Sequence, residues 1–149
     1  LSYKVVDPKS ENAKHILNTV TKKLLNSYGL MTLSKDDKMF VDVYEGTPEH
    51  RDKSYHQGIT WPWLLGLYYD SFKAIIKGEK DKNNKKLLQE KLDKFISKLD
   101  TTFSKEMNKT STVGSISELY DSKKPNLAKG AFAQAWSVAE IFRIILEKK

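Results

Sequence analysis

Two stretches concentrate the residues able to do chemistry. One is Arg51-Asp52-Lys53-Ser54-Tyr55-His56-Gln57-Gly58-Ile59-Thr60-Trp61-Pro62-Trp63. The other is Gly114-Ser115-Ile116-Ser117-Glu118-Leu119-Tyr120-Asp121, with Gly130-Ala131-Phe132-Ala133-Gln134-Ala135-Trp136 after it. Together they offer aromatic faces, amides, an imidazole and carboxylates. Aromatic rings edged by planar hydrogen-bonding groups suit a sugar, which has apolar faces and a hydroxyl rim. Bland readings stand beside this one. His56 has no partner His at metal spacing, so a structural His is preferred to a ligand. Trp61 and Trp63, two residues apart, cannot share one helix face, so one of them faces something other than the core. Arg51-Asp52 reads equally as a local ion pair of small worth. Glu118 reads as a loop carboxylate, and Gln134 and Trp136 as packing residues. No Gly-rich phosphate loop, Ser nucleophile elbow or metal-ligand pattern is present.

Four helical segments must position these groups. The first runs from about Pro8 to Tyr28, with Ala13, Ile16, Leu17, Val20 and Leu24 at helical spacing and Gly29 as a left-handed stop. Leu30–Leu33 and Met39–Tyr44 read as short irregular or extended pieces, the latter able to pair as a small strand, and Gly46-Thr47-Pro48 reads as a turn. The second helix starts at Trp61-Pro62 and ends near Lys77, apolar almost all round and therefore buried. The third, about Asn83 to Met107, carries one stripe of Leu88, Leu92, Phe95, Leu99, Phe103 and Met107. A long polar connection, Asn108–Lys129, is of the length that often serves function. The fourth, about Ala131 to Glu147, again leaves little polar surface. The order amphipathic, buried, amphipathic, buried fits two concentric helical layers. If both inner helices run the same way, their N-terminal ends bring the two chemical stretches to one rim, where the helix dipoles favour a polar hydroxylated ligand.

The chain has 149 residues, enough to bury a core without disulfides, and it has no Cys. That excludes a thiol nucleophile and a Cys-ligated zinc site. No apolar run reaches the roughly 18 residues of a membrane span. The net charge is +7, but Arg51 and Arg143 are the only Arg residues. The Lys-rich segment Lys73–Lys109 is interleaved with Glu79, Asp81, Glu90, Asp93, Asp100 and Glu106. A mixed-sign face without Arg forks argues against a nucleic-acid partner.

Several strings resemble the C-terminal part of the glycogen debranching enzyme family, the amylo-α-1,6-glucosidase catalytic domain. They are Gly29-Leu30-Met31-Thr32-Leu33-Ser34, Tyr44-Glu45-Gly46, Arg51-Asp52, Tyr55-His56-Gln57-Gly58, Trp61-Pro62-Trp63-Leu64, Ser117-Glu118-Leu119-Tyr120-Asp121 and Ala133-Gln134-Ala135-Trp136-Ser137-Val138-Ala139-Glu140. They occur in the family's order from the first helix to the last. Met31 stands where the family usually shows Arg, and Ile59-Thr60 reverses the more usual order. The resemblance implies an all-α fold in which residues 1–149 are a single C-terminal fragment, the last third of an (α/α)6 toroid with about four helices alternating outer and inner. It implies inverting hydrolysis of the α-1,6-linked glucose at a glycogen-type branch point, with Glu118 as general base. Tyr55, His56, Gln57, Trp61, Trp63, Gln134 and Trp136 would line the glucose pocket, supported by Arg51, Asp52 and Asp121. An inverting glycosidase also needs an acid, expected in a missing N-terminal part of the domain, so the fragment alone is expected to be inactive. The other expectations are an α-glucan partner, no cofactor or metal, no nucleic acid, no membrane and a cytoplasmic location. Exposed apolar patches left by missing neighbours would favour self-association. The rival reading is a freestanding helical carbohydrate-binding or scaffold protein.

Overall fold

The computed structural model describes residues 1–3, 5–108 and 113–147. Among these, five helices and a small sheet form. Helix α1, Glu11–Lys23, begins where Ser10 accepts the Ala13 amide at 3.2 Å, and it ends with Leu24 as cap. It is shorter at both ends than the apolar spacing suggested, because the chain turns at Leu24 and pairs with the sheet. Gly29 is therefore no helix stop. Its φ is not left-handed, and a Cβ there would sit 2.3 Å from the Trp61 carbonyl oxygen. Gly29 is small so that two backbones can approach.

Helix α2, Pro48–Tyr55, was not anticipated from the sequence, since PEHRDKSY has no apolar period. Its start signals were present in what read as a turn. Thr47 caps the His50 amide, Pro48 takes the first turn and Glu49 complements the dipole. Helix α3, Leu64–Gly78, starts three residues after Trp61, since Trp61 belongs to a strand. Helix α4, Lys82–Glu106, is capped by Asp81, and helix α5 spans Ala135–Leu146.

The fold is mostly helical but not purely so. Strands β1 (Leu30–Met31), β2 (Thr60–Trp61), β3 (Leu119–Tyr120) and β4 (Ala128–Lys129) form one antiparallel sheet in chain order. Leu30 faces Trp61, Thr60 faces Tyr120, and Leu119 faces Lys129. Each strand is two residues long, too short to leave a period-2 signal. The expected strand at Met39–Tyr44 is instead irregular, with the Val41 amide donating to the Gln57 carbonyl at 2.7 Å. The connection Asn108–Lys129 holds half the sheet in its described part; residues 109–112 lie outside the described residues.

Helix α3 is the central element, packed against α1, α4 and α5. Leu65, Tyr68, Phe72 and Ile75 of α3 meet Ala13 and Leu17 of α1, Leu92, Ile96, Leu99 and Phe103 of α4, and Ile141 and Ile144 of α5 in one core. The burial expected of the second helix holds. That expected of the last does not. On α5 only Ser137, Ile141 and Ile144 are buried, while Trp136, Phe142 and Leu146 are exposed. One stripe of α5 packs on α3 and the opposite stripe faces outward. Polar contacts tie the two helices as well. Arg143 bonds both Asp70 oxygens at 3.0 and 3.1 Å, and Glu140 at 2.7 Å. The Glu140 carboxylate lies over Gly66, where a Cβ would be 1.9 Å from it.

Candidate active site

Glu118 immediately precedes β3. The side chain of Leu119 enters the core and is fully buried, so strand alternation sends Glu118 to the other face. There its backbone and side chain are both tied. Its amide donates to the Ala131 carbonyl at 2.8 Å, and its Oε2 accepts the Ala131 amide at 2.9 Å. Its Oε1 accepts the Tyr55 hydroxyl. Gly130 makes the close approach possible. It has φ +69°, and a Cβ on it would lie 2.5 Å from Glu118 Oε2. The carboxylate therefore has one donor on each oxygen. Each oxygen keeps a second lone pair for a further hydrogen bond.

Tyr55 ends α2 and connects Glu118 to the aromatic residues. Its ring meets Trp61 edge-on at 4.6 Å and His56 at 4.9 Å, and Tyr44 lies 5.8 Å away. Its carbonyl accepts the Trp61 indole N–H at 3.1 Å. Burial and the hydrogen bond to Glu118 push the Tyr55 phenol well above the ordinary tyrosine range. The phenol therefore stays a donor to Glu118 at any neutral pH.

His56, which is exposed, stacks nearly parallel on Trp61 at 5.9 Å. Trp63 caps α3 and stacks on Trp136, in the first turn of α5, at 5.2 Å and 23°. Trp136 also meets Trp61 edge-on at 6.1 Å. The N-terminal ends of α3 and α5 thus share one rim, as the sequence order implied. The chain has three Trp residues, and all three are in this cluster. Trp61 is buried, Trp63 is half-buried and Trp136 is 46% exposed. The two outer indoles present a platform beside the Tyr55–Glu118 pair.

The remaining expected residues sort differently. Gln57 uses its backbone to hold the irregular 39–44 segment. Gln134 caps α5 with its amide bonded to the Ile116 carbonyl at 3.0 Å, and its side chain makes no cap bond. Asp121 is buried; it accepts the Tyr44 amide at 2.8 Å and lies 3.6 Å from the Lys129 ammonium. It therefore positions the segment that carries Tyr44. Arg51 and Asp52 are exposed on α2 and form no ion pair among the described residues. Three contributors had no role in the sequence reading. These are the Ala131 amide, Gly130 and Tyr44; a backbone amide and a positive φ leave no side-chain pattern by which to find them.

Among the described residues, no helix is long and apolar enough to cross a membrane, and no group of three or more His, Cys, Asp or Glu could hold a metal ion. The site's means are a carboxylate with fixed orientation, a phenol that stays protonated and an indole platform. Residues 1–143 match the family described as amylo-alpha-1,6-glucosidase. A match over nearly the whole chain, together with these strings, places the protein in the amylo-α-1,6-glucosidase family.

Proposed function

We propose that this chain is the C-terminal part of an (α/α)6 catalytic toroid that removes α-1,6-linked glucose at glycogen-type branch points with inversion, and that Glu118 is its general base. The observation that carries the reading is the doubly tethered Glu118 carboxylate beside the Trp63–Trp136 stack. A base for an inverting attack must aim at one water on the far side of the anomeric carbon. The Tyr55 hydroxyl and the Ala131 amide fix that aim from opposite oxygens. The free lone pair of either oxygen takes the water's proton as its oxygen attacks, and the glycosidic bond breaks to the leaving oxygen. The acid that protonates that oxygen belongs about 6.5–9.5 Å from Glu118, on a part of the toroid outside this chain. Trp63 and Trp136 hold the apolar face of the glucose over the buried Trp61, and His56, Gln57 and Gln134 meet its hydroxyls.

The test uses the chain by itself with isomaltose, followed by tryptophan fluorescence and glucose assay. We expect a saturable fluorescence change, because every Trp is at the site, and no glucose release. Loss of the change in Trp136→Ala supports the platform. Absence of any saturable change removes the sugar reading of the rim. Glucose release that disappears in Glu118→Gln places the acid in this chain and overturns the division of roles.

A further inference from the structure

A second concave site lies away from the aromatic rim and shares no residue with it. It is a cavity of about 220 Å³ between the α1–β1 turn, the β1–α2 connection, the β3–β4 turn and α4, with Lys35, Lys98 and Lys124 on its wall. Leu25, Phe95 and Leu99 supply an apolar side. No carboxylate lines it, and these three lysines form no ion pair among the described residues. All three lysines are exposed, and with no carboxylate among the lining residues they give the hollow a positive field that favours an anion.

The α1–β1 and β3–β4 turns beside these lysines are built, not loose. Asn26 Oδ1 accepts the Tyr28 and Gly29 amides, and its Nδ2 donates to Thr60 at 2.6 Å. Ser122 bonds Thr60 at 2.7 Å, and its amide and that of Lys123 both donate to the Asp42 carbonyl. Asn126 ties back to the Asp121 carbonyl at 2.8 Å. These polar groups are spent on the protein itself, which leaves the lysines as the ones to meet a ligand.

We propose that this cavity binds a small phosphomonoester, with the phosphate between Lys35, Lys98 and Lys124 and the ester's ring against Phe95 and Leu25. The volume is below the ~300–1,000 Å³ of drug-sized pockets, which fits one phosphate and one sugar ring rather than a polymer. An extended polyanion is disfavoured by the acids Glu90, Asp93 and Asp100 interspersed along α4.

The test is a nitrogen-15 NMR titration of the chain with inorganic phosphate, glucose 6-phosphate and glucose. Saturable shifts at Ser27, Lys35, Lys98 and Lys124 are expected with both phosphates, tighter for the sugar phosphate, and none there with glucose. Each of Lys98→Gln and Lys124→Gln lowers the affinity about fivefold, as one partly solvated charge contact does. Lys→Arg at the same positions retains binding, which separates loss of charge from loss of fold. Unsaturable shifts scattered over the surface, shifts unchanged in the Gln variants, or tighter, steeply salt-dependent binding of a DNA oligomer would each overturn the proposal. Tryptophan fluorescence stays unchanged by inorganic phosphate, so this result and that for the sugar platform are read separately.

Discussion

Gly130 and Gly114 form a natural pair for isolating how Glu118 is held. Both are left-handed, at φ +69° and +73°. A Cβ at Gly114 meets nothing within 4 Å among the described residues, whereas one at Gly130 meets Glu118 Oε2 at 2.5 Å. Ala at either position incurs left-handed strain of about 1–2 kcal/mol, partly offset by a less flexible unfolded chain. The net is about 1 kcal/mol, or roughly 2–4 °C in Tm at this length. Gly130→Ala adds a second cost. Ordinary contact begins near 3.4 Å, so the carboxylate must retreat by about 0.9 Å. That movement carries it out of hydrogen-bond range of the Ala131 amide, now at 2.9 Å. Loss of this partly solvated, charge-assisted bond costs about 1 kcal/mol more, at the low end of its class. Gly114→Ala should therefore lower Tm by about 2–4 °C and Gly130→Ala by roughly twice that. In the native protein, Gly130→Ala should also reduce kcat/KM for an α-1,6-branched oligosaccharide by about 10²-fold, the scale of a 1 Å misplacement. Gly114→Ala should leave it within about twofold, since it only adds strain elsewhere. Equal effects of the two substitutions on both Tm and kcat/KM would refute the argument that Gly130 sets the position of Glu118.

Burial pushes up the phenols of Tyr55, Tyr68, Tyr69 and Tyr120. The folded state therefore holds these protons more tightly than the unfolded chain does. The stability they contribute is fully present below about pH 10, the unfolded value, and is lost as pH rises above it. Ultraviolet titration of phenolate, run beside circular dichroism, should show these four ionising only as the fold is lost; all seven tyrosines titrating together in a folded chain would contradict this. Gly29→Ala should cost roughly 3 kcal/mol in urea unfolding, since its Cβ meets the backbone of Trp61 and Pro62 at 2.3–2.9 Å, which cannot step aside. Phe103→Ala removes a fully buried ring that meets the stacked Tyr28–Tyr120 pair edge-on and should cost about 3–5 kcal/mol by the same measurement.

The long apolar periods of α1, α3, α4 and α5 were legible because burial of one face writes a 3.6-residue repeat. Their ends were less so: Trp61 reads as helical by its apolar neighbours, yet pairing with Leu30 takes it into β2. Helix α2 exposes nearly all its length, so only its caps announced it. The convergence of Tyr55, Trp61, Trp63, Glu118 and Trp136 could be anticipated from two helix N-termini on one rim. The tether itself could not. It depends on the Ala131 backbone amide and on a positive φ at Gly130, which have no side-chain pattern. The outward face of α5 was misjudged for a related reason, since apolar residues all round a helix do not say which neighbours cover them.

The central claim is that Glu118 is the base of an inverting α-1,6-glucosidase. It is tested most directly by following the anomer of the glucose first released from an α-1,6-branched oligosaccharide by the native polypeptide, as it stands and carrying Glu118→Gln. The account predicts β-glucose as first product and a loss of about 10²-fold or more in kcat for Glu118→Gln, the scale of removed general-base catalysis. Release of α-glucose, or undiminished kcat in the Glu118→Gln variant, would contradict it.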